Sequence, residues 1–349
     1  MNDTNLSTRQ SAILSNLYDR PQKGAELLEK LRSTYPISKA TLIRDISKLI
    51  VSGLVAAHGR GKATTYSASV NPVLKPLSLD EYFKENSALR KTGAIPFNNE
   101  IFSKLDNLYS KNEIDSLTQK HVSLNSKRET LDPSIFKKEL ERFTVEFAWK
   151  SSKIEGNTYS LLETEVLIKQ MREAIGKTKY EAIMILNHKD AVDYILIDPE
   201  SFKKLRVEKV MKLHEILTKD LEVTREIRNN PVAITGTDFM PLKNKRDIEN
   251  SLEKSIKVIN DAEFPLAKAL LTIALISYVQ PFVDGNKRTS RALSNAILIA
   301  HDYFPFSYRN LDEVEYLKAV LLFYETNNLY HLKRIFTNQY TYSLENYFQ

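Results

Sequence analysis

The sequence predicts a mostly α-helical fold, and three observations predict it. Only 9 of 349 residues are Gly and 12 are Pro, few punctuators for a many-stranded protein. Apolar residues recur at a 3.6-residue period over long stretches, and in AKALLTIALISYV, Ala267 to Val279, they fall on every side, as in a helix buried all round. Strand-like runs are short and confined to two places, 54–67 and 232–240. With 42% hydrophobic residues there is material for a sizeable core, and the length suits two or three domains. Cysteine is absent, which excludes disulfides, thiol catalysis and cysteine-held metals and accords with a reducing compartment. The opening MNDTNLSTRQ lacks a signal-peptide layout and no run approaches the roughly 18 apolar residues of a membrane span. A cytoplasmic protein with no membrane partner is expected.

Residues 1–70 carry ten Lys and Arg against five Asp and Glu, so most of the net charge of +6 sits in this first part. A basic domain suits a nucleic-acid partner. Thr8 to Tyr18 and Gly24 to Ser33 read as two helices, and Ser38 is a good N-cap for a third ending near Ser52. Leu54 to His58 and Ala63 to Ser67, joined by Gly59-Arg60-Gly61-Lys62, read as a β-hairpin.

Residues 71–133 read as a helical connector, with helices over 79–89 and 100–124 separated at Pro96. Ser134 to Trp149 is an amphipathic helix running into Ser151-Ser152-Lys153-Ile154-Glu155-Gly156, where Gly156 is an ordinary stop. Glu155 there faces the negative end of the helix dipole, an unusual place for a carboxylate. Lys179 to Ile197 and Val207 to Leu221 read as long core helices. His188 and His214 lie on them, and no histidine pair has metal-ligand spacing. Within 228–242, Val232 to Ile234, the turn Thr235-Gly236 and Phe239-Met240 read as a second hairpin. Arg246 to Ala262 is helical and polar on one side, and 311–327 and 329–342 are the last helices.

The chemistry concentrates in QPFVDGNKRTSR, residues 280–291. Pro281 ends the apolar helix, Asp284, Gly285 and Asn286 form a turn, and the apolar period resumes from Thr289. A loop opening a helix offers unpaired N–H groups and a positive dipole end, and Gly285 permits close approach of an anion. Arg288 and Arg291, three apart, can address the same phosphates, and Asp284 is a hard oxygen ligand suited to magnesium. Read from spacing alone, an ordinary interhelical loop fits as well.

This stretch resembles the signature of the Fic family, HPFx(D/E)GNGRxxR, matching at Pro281, Phe282, Asp284, Gly285, Asn286, Arg288 and Arg291. The resemblance implies a Fic-type helical bundle over 134–345 that binds ATP with Mg2+ and transfers AMP to a hydroxyl of a target protein. It makes Gly285, Asn286, Lys287, Arg288 and Arg291 nucleotide-binding and Asp284 the metal ligand. Two positions depart from it. Gln280 stands where the family has its catalytic His, and a carboxamide cannot accept a proton near neutrality, at a typical cost of about 10²- to 10⁴-fold in rate. Lys287 replaces the second Gly and is similar to the NKR of the death-on-curing branch, whose members phosphorylate their targets.

Ser151, Glu155 and Gly156 resemble the family's inhibitory motif, (S/T)xxxE(G/N), which implies that Glu155 pairs with Arg291 and blocks the nucleotide's terminal phosphate. The hairpin over 228–242 resembles the Fic flap, implying that Ile234, Thr235 and Gly236 hold an extended stretch of target by strand addition. The first 70 residues resemble a winged helix-turn-helix. That implies duplex DNA as partner, with Ser38, Lys39, Thr41 and Arg44 at the major groove and Arg60 and Lys62 at the wing tip. Two functions therefore stand open: an autoinhibited AMP transferase, or a DNA-binding regulator whose silent Fic core senses nucleotide. Phosphate transfer to the target is a third, and a homodimer is left open.

Overall fold

A capping box opens the first helix, α1 (Thr8–Asp19): the Ser7 hydroxyl accepts from the Gln10 N–H at 3.2 Å, and the Gln10 side chain accepts from the Ser7 N–H at 3.0 Å. The computed structural model describes residues 6–69, 71–84, 93–130 and 132–347. After α1 come β1 (Gln22–Lys23), α2 (Gly24–Arg32), α3 (Lys39–Val51), β2 (Val55–His58) and β3 (Thr65–Ala68). β2 and β3 pair antiparallel, Val55 opposite Ala68 and His58 opposite Thr65, and β1, too short for periodicity to reveal, joins the far edge of β3. Ile13, Leu17, Leu27, Leu31, Leu42, Ile46 and Leu49 bury in a core separate from that of the remaining chain. At about 1.5–3 kcal/mol per buried Leu or Ile, these side chains rather than helix propensity hold three short helices together.

Residues 71–133 are not the plain connector expected. α4 (Leu79–Tyr82) is shorter than the helix expected over 79–89, of which 85–89 lie outside the described residues. β4 (Ile95–Pro96) follows, and in place of one helix over 100–124 there are a 3-10 turn at Asn99–Ser103 and α5 (Lys111–Glu129). Asn71 accounts for the break. Its Nδ2 donates to the carbonyls of Lys104 at 2.6 Å and Asp106 at 2.8 Å, and Asn107 follows with φ 53°. Val73, Leu74, Ile101, Leu105, Leu108 and Tyr109 then enter the large core, so the stretch is built into the second domain.

The helical bundle continues with α6 (Pro133–Ile154), α7 (Leu161–Gln170), α8 (Lys179–Ile197), α9 (Val207–Leu217), β5 (Phe239–Met240) and α10 (Lys245–Asp261). α11 (Pro265–Val279), α12 (Asn286–Ala300), α13 (Glu313–Thr326) and α14 (Tyr330–Asn346) complete it. Every residue of α11 from Leu266 to Val279 is buried, as its all-round apolar period predicts. α12 and α10 pack along α11, and α9, α8 and α6 also meet α12, which sets four helices around α12.

The hairpin expected over 228–242 is not formed. Thr235–Gly236 is a turn, with Gly236 at φ 86°, but only Phe239–Met240 is a strand, and it pairs in parallel with Ile95–Pro96 from the preceding stretch. Pro231 has no N–H to offer a ladder, and the Asp238 carbonyl accepts from the Ile95 N–H at 3.1 Å. α9 also ends at Leu217, short of the expected Leu221, where the Thr218 hydroxyl donates to the His214 carbonyl at 2.7 Å. α12 begins at Asn286, three residues before the apolar period resumes, because Gly285 at φ 81° turns the chain directly into the helix.

Candidate functional site

The end of α6 aims a carboxylate at α12. Gly156, at φ 92°, takes the left-handed conformation that stops the helix, and Glu155 is its C-cap. Glu155 Oε1 accepts from Arg291 Nη2 at 2.8 Å, and Oε2 lies 3.3 Å from Lys287 Nζ. Each carboxylate oxygen has its own cation. The Arg291 pair is the one the resemblance implied; Lys287, four residues before Arg291 on α12 and so on the same face, is a second partner that the sequence did not reveal. Burial pushes the Glu155 carboxyl up, yet Arg291 and then Lys287 outweigh it, and the net direction is below the ordinary carboxylate range. Glu155 is therefore charged at neutral pH.

Arg291 is wholly buried, at 0% exposure. Its Nε donates to the Ser151 hydroxyl and its Nη2 to the Ser151 carbonyl, both at 2.9 Å. Nothing from solvent touches this guanidinium in the structure. His188 on α8 stands behind Ser151, with Nε2 2.9 Å from the hydroxyl and Nδ1 2.8 Å from the Met184 carbonyl. Burial lowers the His188 pKa to about 3, so the ring is neutral and orients Ser151 by hydrogen bonds.

The α12 start has the form of an anion cradle. The N–H groups of Asn286, Lys287 and Arg288 have no partner among the described residues, whereas the Gly285 N–H donates to Asp284 Oδ1 at 2.6 Å. Packing also requires this glycine: a Cβ there would lie 3.0 Å from Thr218 Cγ2 and 3.4 Å from His214, so Gly285 admits the end of α9. Arg288 is buried and donates from Nη2 to Asp284 Oδ2 at 3.0 Å. The Asp284 side chain is 58% exposed, open to further oxygen-ligated partners. A hard cation would find one carboxylate here, Asp284, and would take its remaining ligands from phosphate oxygens.

Gln280 takes a left-handed conformation at φ 52°, and its amide turns inward. Oε1 accepts from Asn286 Nδ2 at 2.9 Å, and Nε2 donates to the Ser277 carbonyl at 2.6 Å. Asn286 Oδ1 accepts from the Phe282 N–H, so two carboxamides brace the loop from inside. Arg228, absent from the sequence-derived candidates, braces it from outside. Its Nε donates to the Gln280 carbonyl at 2.7 Å, its Nη1 to the Asn230 carbonyl at 2.7 Å, and its N–H to the Pro281 carbonyl at 3.0 Å. It is 3% exposed, no carboxylate pairs with it among the described residues, and burial lowers its pKa to about 10. His214 stacks on Phe282 with ring centroids 3.5 Å apart and lies 2.9 Å from the Asp284 carbonyl, its pKa lowered to about 4 by burial. No periodic signal marks Arg228 or His214 as loop partners, because both reach it across the fold.

The other candidates lie elsewhere. Ile234 borders a cavity of about 470 Å³ with Gly93, Ala94 and Phe239, and Thr235 and Gly236 form the turn that follows it. Lys39, Arg44 and Arg60 are exposed on the first domain. Ser38 and Thr41 are bound to each other, 2.9 Å apart between hydroxyls, in capping α3, and the side chain of Lys62 lies outside the described part of the structure.

Residues 204–298, spanning α9 through most of α12, match the family model Fic/DOC family. This stretch is a Fic/DOC domain. The chain is 25% identical over 191 residues to a protein adenylyltransferase Fic from Nematostella vectensis, covering 52% of this chain and 43% of that one. It is 26% identical over 204 residues to a protein of that name from Drosophila sechellia, covering 55% and 41%. The chain thus spans about two fifths of the length of these curated relatives. The fold is similar to that of Fic-1 from C. elegans, with a TM-score of 0.57 and 17% identity over 67% of this chain and 69% of that one. It is also similar to a Fic domain containing signaling protein from Bacteroides thetaiotaomicron, with a TM-score of 0.56 and 21% identity over 66% and 94%. The Fic/DOC domain thus contains the cradle, both arginines and Lys287, while Ser151 and Glu155 reach it from α6 outside the matched stretch.

Proposed function

We propose that the protein binds ATP at the α12 start and transfers AMP to a hydroxyl of a target protein, restrained by Glu155. One observation carries the reading: a charged carboxylate sits on two cations, Arg291 and Lys287, beside three unpaired N–H groups, where an incoming phosphate would compete for the same partners. The curated relatives named as adenylyltransferases support the class of reaction. In such a transfer the target oxygen bonds to the α-phosphorus, the α–β bridging P–O bond breaks, pyrophosphate leaves, and the hydroxyl proton needs an acceptor. Gln280 cannot be that acceptor, so the proton would pass to water or to the leaving pyrophosphate. Bound magnesium would neutralise phosphate charge, and Asp284 is the residue to hold it.

A second reading is favoured by Gln280 itself, whose amide is spent on Asn286 and Ser277. In it the Fic/DOC domain senses nucleotide without transfer, and residues 1–70 act as a winged helix-turn-helix on duplex DNA. The exposed Lys39, Arg44 and Arg60 support that partner.

ATP labelled separately at the α- and γ-phosphates, incubated with the parent, Glu155→Gly and Gln280→His proteins, separates the readings. α-Label on protein in Glu155→Gly supports the transferase. γ-Label points to phosphate transfer, and label appearing only after Gln280→His supports the silent sensor.

A further inference from the structure

The lysine at position 287 stands where the resemblance called for glycine, and its ammonium does not hang in solvent. It shares Glu155 with Arg291, one cation to each carboxylate oxygen. Two positive charges thus meet one negative charge, and the nearby Arg288, itself paired with Asp284, adds only a weaker positive field. A carboxylate under-neutralises such a site, whereas a terminal phosphate, with a charge between about −1.5 and −2 at neutral pH, matches it better. The two cations also differ in access: Arg291 has no exposed side chain, while that of Lys287 is 30% exposed. An arriving anion meets Lys287 first.

We propose that Lys287 is a shared switch residue: it helps hold Glu155 in place, and when a nucleotide displaces Glu155 it binds, with Arg291, the nucleotide's terminal phosphate. This rests on the nucleotide-binding reading above and adds to it a selectivity determinant for the length of the phosphate chain. The two roles oppose one another. Removing the ammonium loosens the restraint and weakens the ligand site together, so its effect on affinity depends on whether Glu155 is present.

The test is a double-mutant cycle on the full chain, with binding of Mg-ATP and AMP measured by calorimetry for the parent, Glu155→Gly, Lys287→Gln and the double variant. Thermal unfolding checks that each variant is folded, and Lys287→Arg serves as the charge-preserving control. With Glu155→Gly as background, Lys287→Gln is expected to weaken ATP about tenfold, the low end for a charge-assisted contact, and AMP by less than about twofold. Lys287→Arg retains the ATP affinity in that background. In the presence of Glu155 the loss on Lys287→Gln is smaller, because the loosened restraint offsets it. If Glu155→Gly and the double variant bind ATP equally, or if ATP and AMP weaken alike, Lys287 does not hold the terminal phosphate and the proposal is overturned. If Glu155→Gly binds neither nucleotide, the nucleotide-binding reading itself fails and the proposal falls with it, an outcome distinct from equal binding.

Discussion

Asn286 Nδ2 donates to Gln280 Oε1 at 2.9 Å, so the residue that replaces the expected histidine is bonded into the loop. Gln280→Ala removes the acceptor of Asn286 and the donor to the Ser277 carbonyl, both buried. A loss of about 1–2 kcal/mol in unfolding free energy is expected, read from urea denaturation with unchanged m-value. Because Gln280 sits at φ 52°, Gln280→Gly should be more stable than Gln280→Ala by about 1 kcal/mol. Equal stabilities would mean that the left-handed backbone is not retained.

Arg228 joins the segment before β5 to the loop through the carbonyl of Gln280 and holds its own segment through that of Asn230. Arg228→Ala leaves both carbonyls without that donor, and about 1–3 kcal/mol of stability should be lost. Arg228→Lys recovers part of it, since one ammonium cannot reproduce the fork. Hydrogen exchange provides a local readout: in Arg228→Ala the amides around Pro281 exchange faster than those of α14. Uniform exchange would assign Arg228 to global stability alone.

The buried imidazoles of His188 and His214 make the fold acid-sensitive. Their pKa values are lowered to about 3 and about 4, against about 6.5 unfolded. The unfolded chain therefore binds more protons below pH 6.5, and the stability these rings contribute is present above that pH and lost as pH falls toward the folded values. About 2 kcal/mol per histidine should disappear between roughly pH 6.5 and 5. Urea midpoints across that range check it, and a flat profile above the carboxylate region would refute neutral burial of both rings.

Lys39, Arg44 and Arg60 are exposed on one small basic domain. If this domain binds duplex DNA, the logarithm of affinity falls linearly with the logarithm of salt, and Arg60→Ala in the full chain lowers the slope by about one when its contact is a phosphate. Fluorescence anisotropy with a labelled duplex measures it. Salt-independent binding, or none, would mark the domain as a protein-docking module.

Much of this protein was legible in its sequence. The all-round apolar run Ala267–Val279 determines a buried central helix, Ser38 determines the start of α3, and Gly156 and Gly285 mark where backbones turn with positive φ. These are local properties, set by side-chain period, capping and the freedom of glycine, so neighbouring residues suffice to read them. Strand pairing, by contrast, depends on what else competes for a ladder, and Phe239–Met240 found Ile95–Pro96 rather than Val232–Ile234. Likewise only the tertiary structure decided that Lys287 shares Glu155, that Gly285 admits α9, and that Arg228 and His214 brace the loop from distant segments. A burial or an ion pair is a relation between elements, and the chain states its two halves far apart without stating that they meet.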